Sequence, residues 1–326
     1  MTQFDVFNGD ADGLCALHQL RLETPLESVL ITGVKRDIAL LQRAPAQRGD
    51  TVTALDISAA TNHDALVTLL DRGVNVQYFD HHYAGALPPH PALKAIIDPS
   101  PGVCTAMLVD RYLGGRQRIW AIVAAFGDNL LDAGRQLAAP LALDSERLNA
   151  LRELGENLTY NAYGDTVGDL IIAPAALYQV MRRYADPFHF LRSEPIIARL
   201  SKARRDDLAM ASEVDPELVL DHATIYVLPD ATWSRRVHGV FGNHLANRFP
   251  DLAHAVLTPN AQRGYTVSVR APMAVRTGAD VLCRQFTTGG GRAEAAGINH
   301  LPREAFPEFA RRFEQAFSTS SSASRG

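Results

Sequence analysis

Cysteine is scarce in this chain, and the three that occur, Cys15, Cys104 and Cys283, lie far apart among 326 residues. They form no CxxC pair and no disulfide framework, so we expect buried free thiols in a reducing cytoplasm. Long apolar runs are missing as well, since stretches such as Trp120–Phe126 fall short of the ~18–20 residues of a membrane span. The N-terminal residues Met1–Phe7 lack the basic segment of a secretory signal. These absences predict a cytoplasmic protein without a membrane partner.

Charge of one sign is not in large excess. The formal net charge is −4, but residues 196–326 carry 16 Lys and Arg against 13 Asp and Glu, and the preceding residues carry 16 against 23. The basic surplus is too small for binding to long duplexes, so no duplex DNA is expected. An acidic part beside a basic part fits a metal site together with an anion-binding surface.

Strand-like and helix-like segments alternate through the first ~115 residues, which indicates a parallel sheet with helices on both faces. The predicted strands are Phe4–Phe7, Val29–Val34, Thr51–Leu55, Val74–Phe79 and Lys94–Ile97. The predicted helices include Gly13–Leu22, Ile57–Leu70, Arg116–Phe126, Ser145–Leu158 and Pro174–Tyr184.

The predicted fold class is therefore α/β, with a parallel-sheet N-terminal domain and a smaller α/β C-terminal domain joined by a helical linker. We place the first domain at residues 1–185, the linker at 186–219 and the second domain at 220–317. The serine-rich tail at 318–326 is expected to be disordered.

The stretch Asn8–Gly13 follows the first predicted strand and carries two carboxylates, Asp10 and Asp12. Open α/β sheets place their sites at the carboxyl ends of parallel strands. The alternative is an Asx-rich turn in which Asp12 caps the next helix. The stretch is not a GxGxxG fingerprint, and neither GxxxxGKS nor GxxxxGKT occurs, so a nucleoside triphosphate loop is excluded.

Three further acidic or imidazole motifs end predicted elements. Asp56 ends the third strand, Asp80-His81-His82 end the fourth, and Asp128 follows a strongly apolar helix. Adjacent side chains on an extended segment point to opposite sides, so His81 and His82 could serve different partners. The helix dipole disfavours an acid at the C-terminal end, so Asp128 is expected to need a counter-charge, which a metal would supply.

Carboxylates mixed with imidazole, without thiolate, favour hard to borderline divalent ions, with manganese first and magnesium as the alternative. The number of such groups suits two ions, a common arrangement in phosphoryl hydrolysis. The groups are Asp10, Asp12, Asp56, Asp80, His81 and Asp128.

A glycine run, Gly289, Gly290 and Gly291, precedes Arg292 in the C-terminal part. Successive glycine amides can form a nest for an anion, and the guanidinium of Arg292 matches phosphate. Arg270, at the end of a predicted strand, could converge on the same point. The alternative is a flexible glycine turn before the C-terminal helix.

In this order the motifs resemble the DHH phosphoesterase superfamily, which includes RecJ-type exonucleases, nanoRNases and manganese-dependent pyrophosphatases. The resemblance rests on a DxD stretch, a strand-end Asp, the Asp-His-His triplet, a Gly-Asp element, and the glycine run followed by Ala-Ala-Gly. It covers residues 4–317 and implies a DHH domain followed by a DHH-associated substrate-binding domain.

The resemblance also implies roles. His82 would contact the scissile phosphate, Asp80 would orient the histidine pair, and Arg270, the glycine run and Arg292 would bind substrate phosphate. Two Mn²⁺ ions would be held by Asp10, Asp12, Asp56, His81 and Asp128.

Two residues depart from the family pattern. Asn8 stands where many members have His, and its amide oxygen is a weaker metal ligand. Arg292 stands where His is usual; because its pKa stays above ~12, it can bind phosphate but cannot donate a proton near neutral pH.

The expected activity is manganese-dependent hydrolysis of phosphodiester or terminal phosphate bonds in short single-stranded oligonucleotides or small nucleotides. Hydrolysis of pyrophosphate or polyphosphate is the first alternative, although only three lysines occur, Lys35, Lys94 and Lys202. A nucleotide-binding module without catalysis is the second, and Asn8 is its main support. A homodimer is compatible with these patterns.

Overall fold

The computed structural model describes residues 1–318, so the tail predicted to be disordered lies outside the described residues apart from Ser318. The chain divides into two compact units, Met1–Lys202 and the part from Ala203 onward. Within the described residues, no helix combines the length and the apolar composition needed to cross a membrane.

The first unit is built on parallel strands surrounded by helices. The strands are β1 (Gln3–Phe7), β2 (Val29–Thr32), β3 (Thr51–Leu55), β4 (Asn75–Asp80) and β5 (Leu93–Ile97). The helices are α1 (Ala11–Glu23), α2 (His63–Asp71), α3 (Thr105–Tyr112), α4 (Arg118–Gly127), α5 (Leu131–Ala138), α6 (Ser145–Tyr160), α7 (Pro174–Met181) and α8 (Pro187–Ser193). Helix α9 (Pro195–Ser212) begins in the first unit and ends in the second. The strand order is β2-β1-β3-β4-β5, which confirms the predicted parallel sheet.

Both faces of this sheet are covered, as the sequence predicts. Phe7, Leu55 and Phe79 are paired across β1, β3 and β4 and pack into one core with α1, α3 and α4. Because successive strand residues point to opposite faces, the residues one position earlier pack into a second core with α2. The strand ends are therefore held between two apolar layers.

The helix predicted over Ile57–Leu70 is wrong in its first turn, because α2 begins only at His63. The segment before it is held by tertiary hydrogen bonds that compete with helical ones. The Asn62 amide donates to the carbonyls of Ile38 and Ser58, and its Oδ1 accepts from the Leu41 amide at 3.0 Å. Ile38 and Leu41 lie 24 and 21 positions from Asn62, so no local sequence pattern indicates these two contacts.

The second unit is a mixed sheet, consistent with the predicted smaller α/β domain. Its strands are β6 (Leu218–Leu220), β7 (Ala223–Val227), β8 (Ala253–Pro259), β9 (Gly264–Arg270), β10 (Gly289–Gly291) and β11 (Ala295–Pro302). Its helices are α10 (Thr232–Arg248), α11 (Ala279–Cys283) and α12 (Phe306–Phe317). The order is β10-β11-β9-β8-β7-β6, in which β7 and β8 are parallel and the other neighbours antiparallel.

The glycine run is an edge strand, so the alternative of a flexible turn is wrong. β10 pairs antiparallel with β11, and the Gly289 amide already donates to the Phe286 carbonyl at 2.9 Å. A Cβ at Gly289 would lie 1.7 Å from the Cys283 carbonyl oxygen. Close packing on the end of α11 therefore requires glycine here, whatever the run binds.

A buried histidine lies in the core of the first unit. The His18 ring donates from Nε2 to the Tyr184 carbonyl at 2.8 Å and meets the Trp120 ring edge-on at 4.5 Å. Its Nδ1 has no hydrogen-bond partner within residues 1–318. Burial lowers the pKa of His18 to about 4, although the hydrogen bond to Tyr184 opposes the shift. The folded protein thus keeps this imidazole neutral.

We expect His18 to make the fold acid-sensitive. The unfolded chain takes up this proton near pH 6.5 and the folded chain only near pH 4. Stability present above pH 6.5 is therefore lost as the pH falls to about 4, by about 3 kcal/mol from this group. The free energy of unfolding can be measured by urea titration with tryptophan fluorescence. Between pH 6.5 and 4 it should change less steeply with pH in His18→Gln than in wild type. The exposed His63→Gln should keep the wild-type slope, and equal slopes in all three proteins would contradict the assignment.

Candidate metal centre at the carboxyl edge of the first sheet

The register of the first sheet brings most of the predicted site residues together. Phe7 pairs with Leu55 and Leu55 with Phe79, so β1, β3 and β4 end side by side and the turns after them share one edge. Asp128 follows α4 and reaches the same edge. The residues brought together are Asn8, Asp10, Asp12, Asp56, Asp80, His81, His82 and Asp128.

The turn after β1 is tight and internally bonded. Asp10 caps α1, because its Oδ1 accepts from the amides of Asp12 (3.0 Å) and Gly13 (3.2 Å). The Asn8 Oδ1 accepts from the Asp10 amide at 3.3 Å. A Cβ at Gly13 would lie 2.1 Å from the Asn8 carbonyl oxygen, so the turn requires glycine there.

Asp12 does not cap the helix that follows it, so that alternative is wrong. Its two oxygens instead accept from the amides of Thr105 and Ala106, each at 2.7 Å, at the start of α3. The N-terminal end of a helix stabilises a negative charge, so this contact keeps a buried carboxylate in place. Each Asp12 oxygen accepts one hydrogen bond and keeps a lone pair for another partner.

Asp56 ends β3 in a left-handed conformation, with φ of 58°, which is uncommon outside glycine. Its amide donates to the Phe79 carbonyl, and its Oδ1 accepts from the Thr105 hydroxyl at 3.2 Å. Thr105 therefore binds two of the acidic residues, Asp12 through its amide and Asp56 through its side chain. Sequence reasoning missed this residue.

The two histidines do not lie on opposite sides, since their ring centroids are only 4.4 Å apart. The chain bends after β4, so the alternation of an extended strand does not continue through them. They nevertheless have different partners. His81 is buried and donates from Nδ1 to the Val103 carbonyl at 2.8 Å, so its Nε2 faces the acidic side chains. His82 has a side chain that is 42% exposed and donates from Nδ1 to Asp80 Oδ1 at 2.7 Å.

Asp80 is fully buried and serves both histidines. Its Oδ1 also accepts from the His81 amide at 2.9 Å, whereas its Oδ2 has no hydrogen-bond partner among the described residues. Burial opposes charge on His82, but the hydrogen bond to Asp80 and the negative charge of Asp80 together raise the pKa of His82. The predicted orienting role of Asp80 agrees with these contacts.

The counter-charge predicted beside Asp128 is present, but it is a lysine. Lys35 Nζ lies 3.5 Å from Asp128 Oδ1 and makes a close ion pair with Asp10 Oδ2. Part of the balance therefore comes from the chain itself, and the metal expected at Asp128 stays a prediction. Sequence reasoning missed Lys35 as a member of this site.

The donor set around His81 fits one divalent ion. Its Nε2 lies 3.8 Å from Asp12 Oδ2, 3.3 Å from Asp56 Oδ1 and 3.9 Å from Asp128 Oδ2. Ligands bonded to one ion at ~2.1 Å lie about 3–4 Å from one another. Ligand atoms of Asp12, His81 and Asp128 lie within 4.8 Å of one another, so these three residues can share a centre. Asp56, His81 and His82 form a second group of this kind. Carboxylate oxygens and an imidazole nitrogen suit manganese or magnesium.

The electrostatics of the cluster favour a cation. Burial raises the pKa of Asp12, more than His81 lowers it. Burial and the nearby charges of Asp12 and Asp10 raise the pKa of Asp56 well above its usual range. A divalent ion would offset both effects, because it attracts the charged form of every carboxylate around it.

Arg270 and Arg292 lie near each other in the second unit, because Arg270 pairs with Ala295, whose carbonyl accepts from the Arg292 amide at 2.9 Å; their binding of phosphate stays a prediction. Arg270 donates to Asn243 Oδ1 at 2.7 Å and to the Gly239 carbonyl at 3.3 Å, both on α10, and to the Ser268 hydroxyl at 2.9 Å. It therefore ties β9 to α10. Arg292 follows β10 and is exposed.

Comparisons with known proteins agree with the predicted fold. No family model and no curated protein matches the sequence. The structure is similar to that of exonuclease RecJ bound to manganese, at 19% identity and a TM-score of 0.60, over 96% of this chain and 89% of that chain. The pGpG-specific phosphodiesterase PggH from Vibrio cholerae matches at 14% identity and a TM-score of 0.57, over 97% and 99%.

RecJ from Thermus thermophilus in complex with Mn²⁺ matches at 19% identity and a TM-score of 0.57, over 96% of this chain but only 51% of that one. At these identities the likeness establishes the fold. The expected fold is confirmed as one shared with RecJ and PggH, and the roles of individual residues remain predictions.

We expect Mn²⁺ to stabilise the folded protein and to do so more at higher pH. Carboxylates and imidazole bind metal only when deprotonated, so protons compete with the ion. A free Mn²⁺ concentration ~100-fold above Kd should add about 2.7 kcal/mol. Thermal unfolding with Mn²⁺ or with chelator, between pH 5.5 and 8, measures this. A Tm gain that is absent, or that shrinks as the pH rises, would argue against the cluster as a metal centre.

Proposed function

We propose that the protein is a metal-dependent phosphoesterase that hydrolyses phosphodiester or terminal phosphate bonds of short single-stranded oligonucleotides or small nucleotides. One observation carries the proposal. A buried imidazole, His81, presents its Nε2 to three carboxylates at the carboxyl edge of a parallel sheet, in a fold shared with RecJ and PggH.

When bound by Asp12, Asp56, His81 and Asp128, a divalent ion would polarise a phosphate and lower the pKa of the attacking water. The neighbouring side chains support the same chemistry. His82, held by Asp80 and partly exposed, can donate a hydrogen bond or a proton from Nε2 to a phosphate ester oxygen.

One comparison supports a short substrate. The pGpG-specific phosphodiesterase PggH matches over 97% of this chain and 99% of that chain. We therefore favour substrates of a few nucleotides and propose manganese as the physiological ion. The three cysteines are buried and free, in keeping with the proposed cytoplasmic location.

A second candidate function is nucleotide binding without catalysis. Asn8 in place of a stronger ligand, together with the ion pair between Lys35 and Asp10, favours this candidate. The two candidates differ in whether the bound nucleotide is hydrolysed. Hydrolysis of pyrophosphate or polyphosphate, the remaining alternative, differs from both in its substrate.

A substrate panel with Mn²⁺ separates these candidates. We expect hydrolysis of di- to decanucleotides, or of small nucleotides such as pAp and pGpG, and little hydrolysis of pyrophosphate. Asp128→Asn should lower kcat at least ~100-fold, a barrier increase of about 2.7 kcal/mol, because it weakens the ion's ligand set. The matched control is Asp132→Asn, an exposed acid on α5, which should behave as wild type. Binding of the same nucleotides without turnover would favour the second candidate.

We also propose that Arg292 binds substrate phosphate. Arg292→Ala should lower kcat/KM by about 30-fold or more, since an electrostatic contact to the reacting phosphate is typically worth about 2–4 kcal/mol. Mn²⁺ affinity should stay unchanged, because the metal cluster lies in the first unit. The control Arg284→Ala removes another exposed arginine of the second unit, paired with Asp280. Unchanged kcat/KM in Arg292→Ala would remove this residue from the site.

A further inference from the structure

We infer that Lys35 takes the place of a second divalent ion, so that the site holds one ion and a lysine ammonium instead of an ion pair. The inference rests on the proposed function and departs from the two ions that the family resemblance implies. It concerns which positive charges balance the acidic cluster.

The first argument is the position of the ammonium. Lys35 Nζ makes a close ion pair with Asp10 Oδ2 and lies 3.5 Å from Asp128 Oδ1. It thus lies between Asp10, which does not face the Nε2 of His81, and Asp128, which does. A second ion shared by Asp10 and Asp128 would need the same space.

The second argument is that the backbone fixes this lysine. The Lys35 amide donates to the Ala162 carbonyl at 2.8 Å, and its carbonyl accepts from Asn8 Nδ2 at 3.1 Å. Asn8 therefore holds the lysine with its nitrogen. A histidine at this position would present a ring nitrogen to a metal, whereas the amide spans Lys35 and the Asp10 backbone.

Side-chain oxygens of Asp10 and Asn8 already accept hydrogen bonds from backbone amides. Asp10 Oδ1 accepts from two amides, those of Asp12 and Gly13, and Asn8 Oδ1 accepts from the Asp10 amide. The side chains that a second ion would need are thus already bonded to donors of the protein. Around the first ion position, by contrast, oxygens of Asp12, Asp56 and Asp128 each lie within 3.9 Å of the Nε2 of His81.

Charge supports the same conclusion. The Lys35 ammonium faces Asp10 and Asp128. A lysine side chain, whose ordinary pKa is ~10.4, carries a positive charge near neutral pH. One divalent ion and one ammonium supply three positive charges to the four carboxylates Asp10, Asp12, Asp56 and Asp128, and a second ion would have to approach a fixed positive charge.

The test counts Mn²⁺ ions per chain by equilibrium dialysis and by electron paramagnetic resonance of the bound ions. We expect one ion per wild-type chain with the six-line spectrum of isolated Mn²⁺. Lys35→Ala, and the double variant Asn8→His with Lys35→Ala, should take up a second ion and show an exchange-coupled spectrum. The matched control is Lys94→Ala, which removes an exposed lysine on β5 and should still bind one ion.

Two ions per wild-type chain would overturn the inference, and this arm needs no variant to fold. One ion in wild type and in both Lys35 variants would also overturn it, because Lys35 would then not be the group that excludes the second ion. The two proposals fail differently. A wild-type protein that binds one ion but hydrolyses no phosphate ester would remove the proposed function and leave the lysine in its place.

Discussion

Repulsion among closely spaced acidic side chains is the constraint on which the rest of this site depends. Asp12, Asp56 and Asp128 each place an oxygen within 3.9 Å of one imidazole nitrogen. Two like charges ~4 Å apart repel by about 4 kcal/mol at an effective dielectric constant of ~20. A folded chain can keep such a group only if positive charge lies close to it, and the structure provides that charge in several forms.

Each source of positive charge comes from a different part of the fold. The start of α3 offers two amides to Asp12, and the side chain of Lys35 balances Asp10 and part of Asp128. The carboxylate oxygens that face the Nε2 of His81 are not fully balanced by these groups, and their geometry suits a divalent ion. The parallel register explains why the acids meet at all, since it ends three neighbouring strands at one edge of the sheet.

The elements of the fold and the acidic members of the site could be predicted because both follow local patterns. An apolar strand that ends in Asp10-Ala-Asp12, in Asp56 or in Asp80-His81-His82 shows the edge of a parallel sheet within a few residues. The position of Lys35 could not be predicted, because its partners Asp10 and Asp128 lie 25 and 93 positions away in the sequence. The role of Thr105 could not be predicted for the same reason, since it binds Asp12 and Asp56 only in the folded chain. The strand at Gly289–Gly291 depends on pairing with β11, which glycine-rich sequence does not indicate.

We propose that an ion bonded to His81 Nε2 is the catalytic cation at this edge of the sheet. Crystals grown with Mn²⁺ and measured at the manganese absorption edge test this proposal. We expect an anomalous peak within about 2.3 Å of His81 Nε2, with oxygens of Asp12, Asp56 and Asp128 around it and Lys35 still paired with Asp10. A fully occupied Mn²⁺ peak on Asp10 with Lys35 displaced, or no peak at His81, would contradict it.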